Sequence, residues 1–169
     1  MIKTKSSHLT IDKRLTPSTG QYCIYKKMSC PQGLDVGYVY WDDDNSETNA
    51  NSQGGVLPGG KYNKNTKMYF CCKTNGSKAS AILLPSKSPF YLLAYKSAKC
   101  QMVIWTVANL EWIYFDTAHR NNKDKGNQAY PHEAGKQHPT IYYCYYRGKK
   151  THLLQLLHVF SIYSLIDIK

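Results

Sequence analysis

Trp41-Asp42-Asp43-Asp44-Asn45-Ser46-Glu47-Thr48-Asn49-Ala50-Asn51 is the one acidic, oxygen-rich cluster in the chain. Three chemistries fit it. Calcium takes about six to eight oxygen ligands, which Asp and Asn side chains supply. The spacing is not that of an EF-hand, which needs glycine at loop position six and glutamate at twelve. The same side chains can hold a sugar beside the Trp41 ring, or bond their own backbone in turns.

A second candidate is nucleophilic. Cys100 with His119, His132 or His138 and an acid such as Asp116 would supply a thiol, a base and an orienting group. Nothing around Cys100 carries the signature of a cysteine hydrolase. There is also no Gly-x-Ser-x-Gly elbow, phosphate-binding glycine loop or His-Glu-x-x-His helix. A non-enzyme without cofactor is therefore expected.

The six cysteines, Cys23, Cys30, Cys71, Cys72, Cys100 and Cys144, are better read as structural. No Cys-x-x-Cys pair occurs to build a zinc knuckle, so no metal is expected. Two clusters, Tyr69-Phe70-Cys71-Cys72-Lys73 and Tyr142-Tyr143-Cys144-Tyr145-Tyr146, set cysteine among β-favouring aromatics. Neighbours on a strand point to opposite faces, so Cys71 and Cys72 are expected to join different partners. Cys144, Cys100, Cys23 and Cys30 are all candidates. Disulfides imply an oxidising compartment, hence an extracellular, secreted protein. Met1 to His8 is followed by no apolar run of a secretory signal, so a truncated start is expected.

The formal charge is +11, from 22 Lys plus Arg against 11 Asp plus Glu. From Thr48 to Leu110 there is no acid, yet Lys61, Lys64, Lys67, Lys73, Lys78, Lys87, Lys96 and Lys99 fall there. A surface built from that stretch attracts anions. Lysine rather than arginine dominates, which suits diffuse attraction to an acidic polymer better than bidentate reading of nucleic acid, so none is expected as partner. Fifteen tyrosines suit strands half buried and faces half wet.

The elements that must position these groups are short apolar-aromatic runs between turn clusters, which predicts an all-β, mainly antiparallel, disulfide-bonded, sandwich-like domain with long polar loops. Strands are expected over 21–25, 38–41, 67–73, 79–84, 90–95, 101–107, 111–116 and 141–146. Asn75-Gly76 predicts a tight hairpin joining the Cys71/Cys72 strand to Ala79–Leu84. Asp42 to Gly60 and Ala118 to Pro139 read as long loops. Residues 1–18 read as a flexible lead-in, 19–148 as the domain and 149–169 as an apolar tail. That tail is read as an interfacial helix giving weak membrane-surface contact, or as read-through beyond the domain.

In order along the chain stand Cys30-Pro31-Gln32-Gly33-Leu34, Gly37-Tyr38-Val39-Tyr40-Trp41-Asp42-Asp43-Asp44 and Leu57-Pro58-Gly59-Gly60-Lys61-Tyr62. Tyr69 to Lys73, Leu84-Pro85, Pro89-Phe90-Tyr91-Leu92, Cys100-Gln101 and Tyr143-Cys144-Tyr145-Tyr146 follow. The series, over about residues 20 to 146, resembles the apextrin C-terminal domain (ApeC) family. The family tends to open with Trp-Pro, where this chain has Thr16-Pro17. The resemblance implies a non-catalytic innate-immune module binding bacterial cell-wall material, peptidoglycan or its muramyl peptides. Its alternatives are an extracellular-matrix or adhesion protein and a membrane-associated accessory to a pore-former. The resemblance carries over no ligand residues; from the sequence itself Trp41, Asp42, Asp43, Asp44, Asn49, Asn51, Tyr62, Lys61 and Lys64 are the expected ligand contacts. The first five after Trp41 offer polar contacts, the lysines charge, and Trp41 and Tyr62 rings.

Overall fold

The computed structural model describes residues 19–43, 53–117 and 123–149. Among them the fold is all-β, antiparallel and disulfide-bonded, as the sequence predicts. Eight strands hydrogen-bond into a single open sheet rather than dividing between two facing sheets.

β4 (Thr66–Lys73) is the hub. Its residues alternate, Met68, Phe70 and Cys72 to one face and Lys67, Tyr69 and Cys71 to the other, as a pleated strand requires. β2 (Asp35–Trp41) pairs along one edge of β4, from Asp35 opposite Cys72 to Trp41 opposite Thr66. Two strands share the other edge. β1 (Tyr22–Tyr25) takes Phe70 to Lys73, and β3 (Gly60–Tyr62) takes Thr66 to Met68. They hand over at Tyr69, whose carbonyl accepts from the Lys26 amide (3.0 Å) and whose amide donates to the Gly59 carbonyl (2.9 Å).

The sheet continues from β1 through β5 (Phe90–Ala94) and β8 (Thr140–Gly148) to β6 (Thr106–Tyr114) at one end. At the other end β7 (Lys125–Gln128) adds to β2. Each face carries a core. Cys23, Val39, Trp41, Phe70, Cys72, Leu93 and Ile141 fill one; Tyr22, Ile82, Leu92, Val103, Cys144 and Tyr146 fill the other. A central strand buried on both sides reads as a continuous apolar run, which explains Leu92-Leu93-Ala94 in β5.

Loops, not a second sheet, roof the two cores. Residues 129–139 cover the first. Ala129 lies on Gly37, where a Cβ would come within 1.9 Å of the Ala129 carbonyl oxygen, so only glycine fits. Two short stretches, 77–84 and 100–104, joined by the Ile82–Val103 bridge, cover the second, centred on Gln101, which is 1% exposed. Its side-chain oxygen accepts from the Gln21 amide (2.8 Å), its side-chain nitrogen donates to the Ser80 carbonyl (2.7 Å), and its own carbonyl accepts from Tyr146 Oη (2.6 Å). Burial of an amide is tolerable only with such bonding.

Three disulfides staple the sheet: Cys23–Cys72, Cys30–Cys71 and Cys100–Cys144. Cys71 and Cys72 do join different partners from opposite faces. Cys23 and Cys72 sit directly opposite on β1 and β4, in a non-hydrogen-bonded pair where backbones approach closest.

Some expectations need correction. No hairpin follows β4, and Ala79–Leu84 is not a strand; Ile82 makes one isolated parallel bridge to Val103. Both edges of β4 are already taken by β1, β2 and β3, so a following strand has nothing to pair with. Thr106 to Tyr114 is one strand where two were expected, 101–107 and 111–116. β7 lies within the stretch 118–139 read as a loop, and β3, which starts at Gly60 where the other loop ends, is a strand that was not expected. The lead-in (1–18) and nearly all of the tail (150–169) lie outside the described residues.

Candidate functional site

Alternation along β2 and β4 sends Val39, Trp41 and Phe70 into the first core and turns Tyr38, Tyr40, Lys67 and Tyr69 to the opposite face. Register assembles them into rows. Lys125, Tyr40, Lys67 and Lys61 stand side by side across β7, β2, β4 and β3. In the next row Asn127, Tyr38 and Tyr69 do the same. The result is a cationic, aromatic platform bordering a shallow groove of about 360 Å³ lined by Tyr38, Tyr40, Lys61, Asn63, Asn65, Lys67 and Lys125.

The ammonium groups and rings support one another. Lys67 Nζ lies 3.9 Å from the Tyr38 ring centroid and 5.2 Å from that of Tyr69. Lys125 stands 5.6 Å from the Tyr40 ring, and Lys26 5.6 Å from Tyr69. Exposed cation–π pairs of this kind contribute about 0.5–1 kcal/mol each and hold the charges over the sheet. Asn65 Nδ2 donates to Tyr40 Oη (2.6 Å) and Asn127 Nδ2 to Tyr38 Oη (3.2 Å), which fixes both phenols. Desolvation, then the nearby Asp42, Asp43 and Asp124 carboxylates, push the Tyr40 hydroxyl up, so it stays a neutral hydrogen-bonding group. Such a surface attracts carboxylates or phosphates and offers ring faces and amides to the sugars between them.

The structure separates the expected ligand residues. Lys61 stands on the platform, and Lys64 is exposed in the adjoining turn. Tyr62 is half-buried, its hydroxyl donating to the Pro58 carbonyl (3.1 Å). Asp42 and Asp43 are bonded within the protein. The Asp42 amide donates to Asp124 Oδ1 (2.6 Å), Asp42 Oδ2 accepts from the Lys123 amide (3.2 Å), and Asp43 Oδ2 accepts from Thr66 Oγ1 (2.7 Å). Asp44, Asn49 and Asn51 lie outside the described residues.

Trp41 is a correction. It was expected to offer its ring to a ligand, but it is 6% exposed, tilted against Phe115, with Nε1 donating to the Ala134 carbonyl (2.7 Å). Period two puts it on the same face as Val39, inside the core. Sequence reading missed Tyr38, Tyr40, Tyr69 and Lys125 as a group. The signal was available in Tyr38-Val39-Tyr40-Trp41, where every second residue is tyrosine.

A second cavity, of about 260 Å³, opens under the 129–139 roof between Tyr95, Lys96, Gln128, His132, Glu133 and Lys136. Its polar groups already serve each other: Glu133 accepts from Lys136 Nζ (2.7 Å) and Tyr142 Oη (3.1 Å), and both bonds help hold its carboxyl below the usual range. Desolvation lowers the His132 pKa, which favours the neutral ring. Cys100, the candidate nucleophile, is bonded to Cys144 and has no thiol. His138 Nδ1 lies 3.4 Å from Asp116 Oδ1, and His119 is outside the described residues. Among the described residues no three His, Cys, Asp or Glu gather in a way that could hold a metal ion.

Nothing matches the chain among curated proteins or among solved structures. One family model does match, that of the C-terminal domain of apextrin (ApeC), over residues 2–146. The ordered cysteine and aromatic motifs, the three disulfides they form and this match agree: the chain belongs to the ApeC family.

Proposed function

We propose that this chain is a secreted, non-catalytic innate-immune recognition module that binds an anionic polymer of the bacterial cell wall, peptidoglycan or its muramyl peptides. The observation that carries the reading is the platform of Lys61, Lys67 and Lys125 among Tyr38, Tyr40 and Tyr69 on one open face of the sheet. Peptidoglycan carries stem-peptide carboxylates beside its sugar rings, and the platform sets ammonium groups beside aromatic rings and amides. Three disulfides fit an oxidising compartment, and among the described residues no helix is long and apolar enough to cross a membrane.

Because exposed charges are screened over roughly 8–10 Å at physiological salt, retention should fall steeply as salt rises. Co-sedimentation with insoluble peptidoglycan at increasing salt tests this. The triple variant Lys61→Gln, Lys67→Gln, Lys125→Gln should lose retention while keeping the melting temperature. No retention at low salt sinks the proposal. A parallel arm with an acidic host glycan decides the alternative of a matrix or adhesion protein, which would bind that polymer and show no preference for wall.

A further inference from the structure

β6 forms the edge of the sheet farthest from the platform, and its nine residues pair with β8 along their whole length. The pairs just beyond its two ends are hydrogen-bonded: the Phe115 amide donates to the Pro139 carbonyl (2.9 Å) and the Lys149 amide to the Trp105 carbonyl (2.9 Å). Counting inward by twos, Val107, Asn109, Glu111 and Ile113 turn their backbone groups toward β8. Ala108, Leu110, Trp112 and Tyr114 therefore turn their amides and carbonyls outward, and among the described residues no strand pairs with that side. The side chains are equally open. Trp112 is 63% exposed, Tyr114 50%, and Val107, Leu110 and Ile113 are exposed as well.

An edge of this length normally carries a lysine, a proline or a bulge that blocks further pairing. β6 has none, and Glu111 is its single charge. We propose that β6 is a dimerisation edge, on which the β6 strand of a second copy of this chain pairs antiparallel about a two-fold axis through Leu110.

Complementarity is what selects a second copy as the occupant. An axis through Leu110 is the one that overlaps all nine residues of the two strands. It sets Ala108 opposite Trp112 of the second copy, small against large; Thr106 falls opposite Tyr114, but it is buried and its amide already donates to the Val103 carbonyl (3.3 Å), so the new backbone bonds centre on Ala108, Leu110 and Trp112. It also sets Asn109 opposite Glu111, so the strand's one charge meets an amide donor. Moving the axis one residue toward Tyr114 would set Glu111 against its own image, which is destabilising. Arg147, which β8 places beside Val107, stands one row away from Glu111 of the second copy on the same face. Each copy has a formal charge of +11, yet β6 itself holds no lysine or arginine, so like charges do not meet along the seam. The isologous contact closes after two copies, as a two-fold interface must.

Sedimentation equilibrium on the full chain, from about 1 to 100 μM, reads the outcome directly. A concentration-dependent dimer is expected, weakened at least about tenfold by Leu110→Lys and by Trp112→Lys, two exposed positions that leave the melting temperature in place. Asn109→Lys, which faces Glu111 of the second copy, should strengthen the dimer several-fold at low salt, a response peculiar to this register. A monomer across the whole range overturns the proposal, as does a dimer indifferent to both lysine substitutions. A full chain that stays monomeric and dimerises only after deletion of Thr151 to Lys169 also overturns it, since the chain's own tail would then be the occupant.

Discussion

β7 closes one end of the sheet with four residues, Lys125-Gly126-Asn127-Gln128, while β6 closes the other with nine, Thr106-Val107-Ala108-Asn109-Leu110-Glu111-Trp112-Ile113-Tyr114. β7 has the usual protections of an edge: it is short, polar and carries a lysine. The chain that leaves it folds back as the 129–139 roof, with the Tyr130 ring against Gly126. β6 has neither brevity nor charge. Between the ends the faces differ in the same sense: lysines stand among the tyrosines over β2, β4 and β7, whereas β5, β8 and β6 hold no lysine and β6 exposes Val107, Leu110, Trp112 and Ile113. One end of the sheet presents ammonium groups, phenols and amides, and the other keeps apolar surface exposed. Pairing two copies through β6 would hold two platforms in one assembly, which raises avidity for a repeating polymer without any new contact.

The largest test of the comparison is covalent. Cys23–Cys72 staples the platform half and Cys100–Cys144 the β6 half, with sequence separations of 49 and 44. Loop-closure entropy assigns Cys100–Cys144 about 4 kcal/mol, but Cys23–Cys72 only about 2.5 kcal/mol, because the nested Cys30–Cys71 bridge already closes most of its loop. Replacing either pair by alanine should therefore lower the urea midpoint, with the larger drop for Cys100–Cys144. If the halves are one cooperative unit, platform and β6 probes will unfold together in both variants. Separate transitions would show two halves that fold independently.

A pair of tryptophans sharpens the contrast next. Trp41→Ala removes a buried ring and leaves the Ala134 carbonyl without its donor, so a loss of about 3–5 kcal/mol is expected. Trp112→Ala, at an exposed position, should change the stability of the monomer by less than about 0.5 kcal/mol. Chemical denaturation at low protein concentration measures both. Equal losses would mean that β6 is covered in the isolated chain.

These two residues also show what the sequence makes legible. Thr66–Lys73, Asp35–Trp41 and Thr140–Gly148 announce themselves by aromatic and β-branched alternation, and strands appear close to where they are predicted. Cys71 and Cys72 advertise opposite faces, but their partners depend on which strands flank β4, and sheet order is not written in local pattern. Lys125-Gly126-Asn127-Gln128 has no β-propensity and becomes a strand because β2 offers an open edge. Ala108-Asn109 lowers the propensity midway along β6, which splits it into two expected strands, yet pairing with β8 carries it through. Trp41 misleads for another reason. Its acidic neighbours read as a surface loop, while its own orientation follows Val39 two residues earlier.

On the platform a smaller effect is expected. Lys67 stands over both Tyr38 and Tyr69, so Lys67→Gln removes one charge and two ring contacts. At about 0.5–1 kcal/mol this corresponds to roughly two- to fivefold weaker retention on wall polymer, with the sharpest difference at low salt. Tyr38→Ala should act in the same direction. Glu111→Gln, at the far edge, should leave retention by the monomer unchanged, and a matching loss there would erase the distinction between the two ends.

The smallest expected effect is alkaline. Lys78, beside the roof of the second core, donates to the Ser97 carbonyl and hydroxyl (both 2.8 Å), and desolvation, then Lys99, lowers its pKa to about 8. The unfolded chain holds that proton to about 10.5. Between those values the unfolded state binds more protons, so stability rises with pH. In the first core Tyr25 works the other way. Burial, then its 2.9 Å hydrogen bond with the Tyr143 hydroxyl, push its pKa well above the usual tyrosine value of 10.0. Here the folded state keeps the proton, and stability falls once pH passes the ordinary tyrosine range. Stability should climb from about pH 8 to a shallow maximum in melting temperature near pH 10 and fall beyond it. Lys78→Met should remove the rise and leave the fall, while Tyr25→Phe should soften the fall alone. A profile unmoved by either substitution would mean that neither core senses these protons, and that the two ends of the sheet differ in surface but not in how their interiors answer to pH.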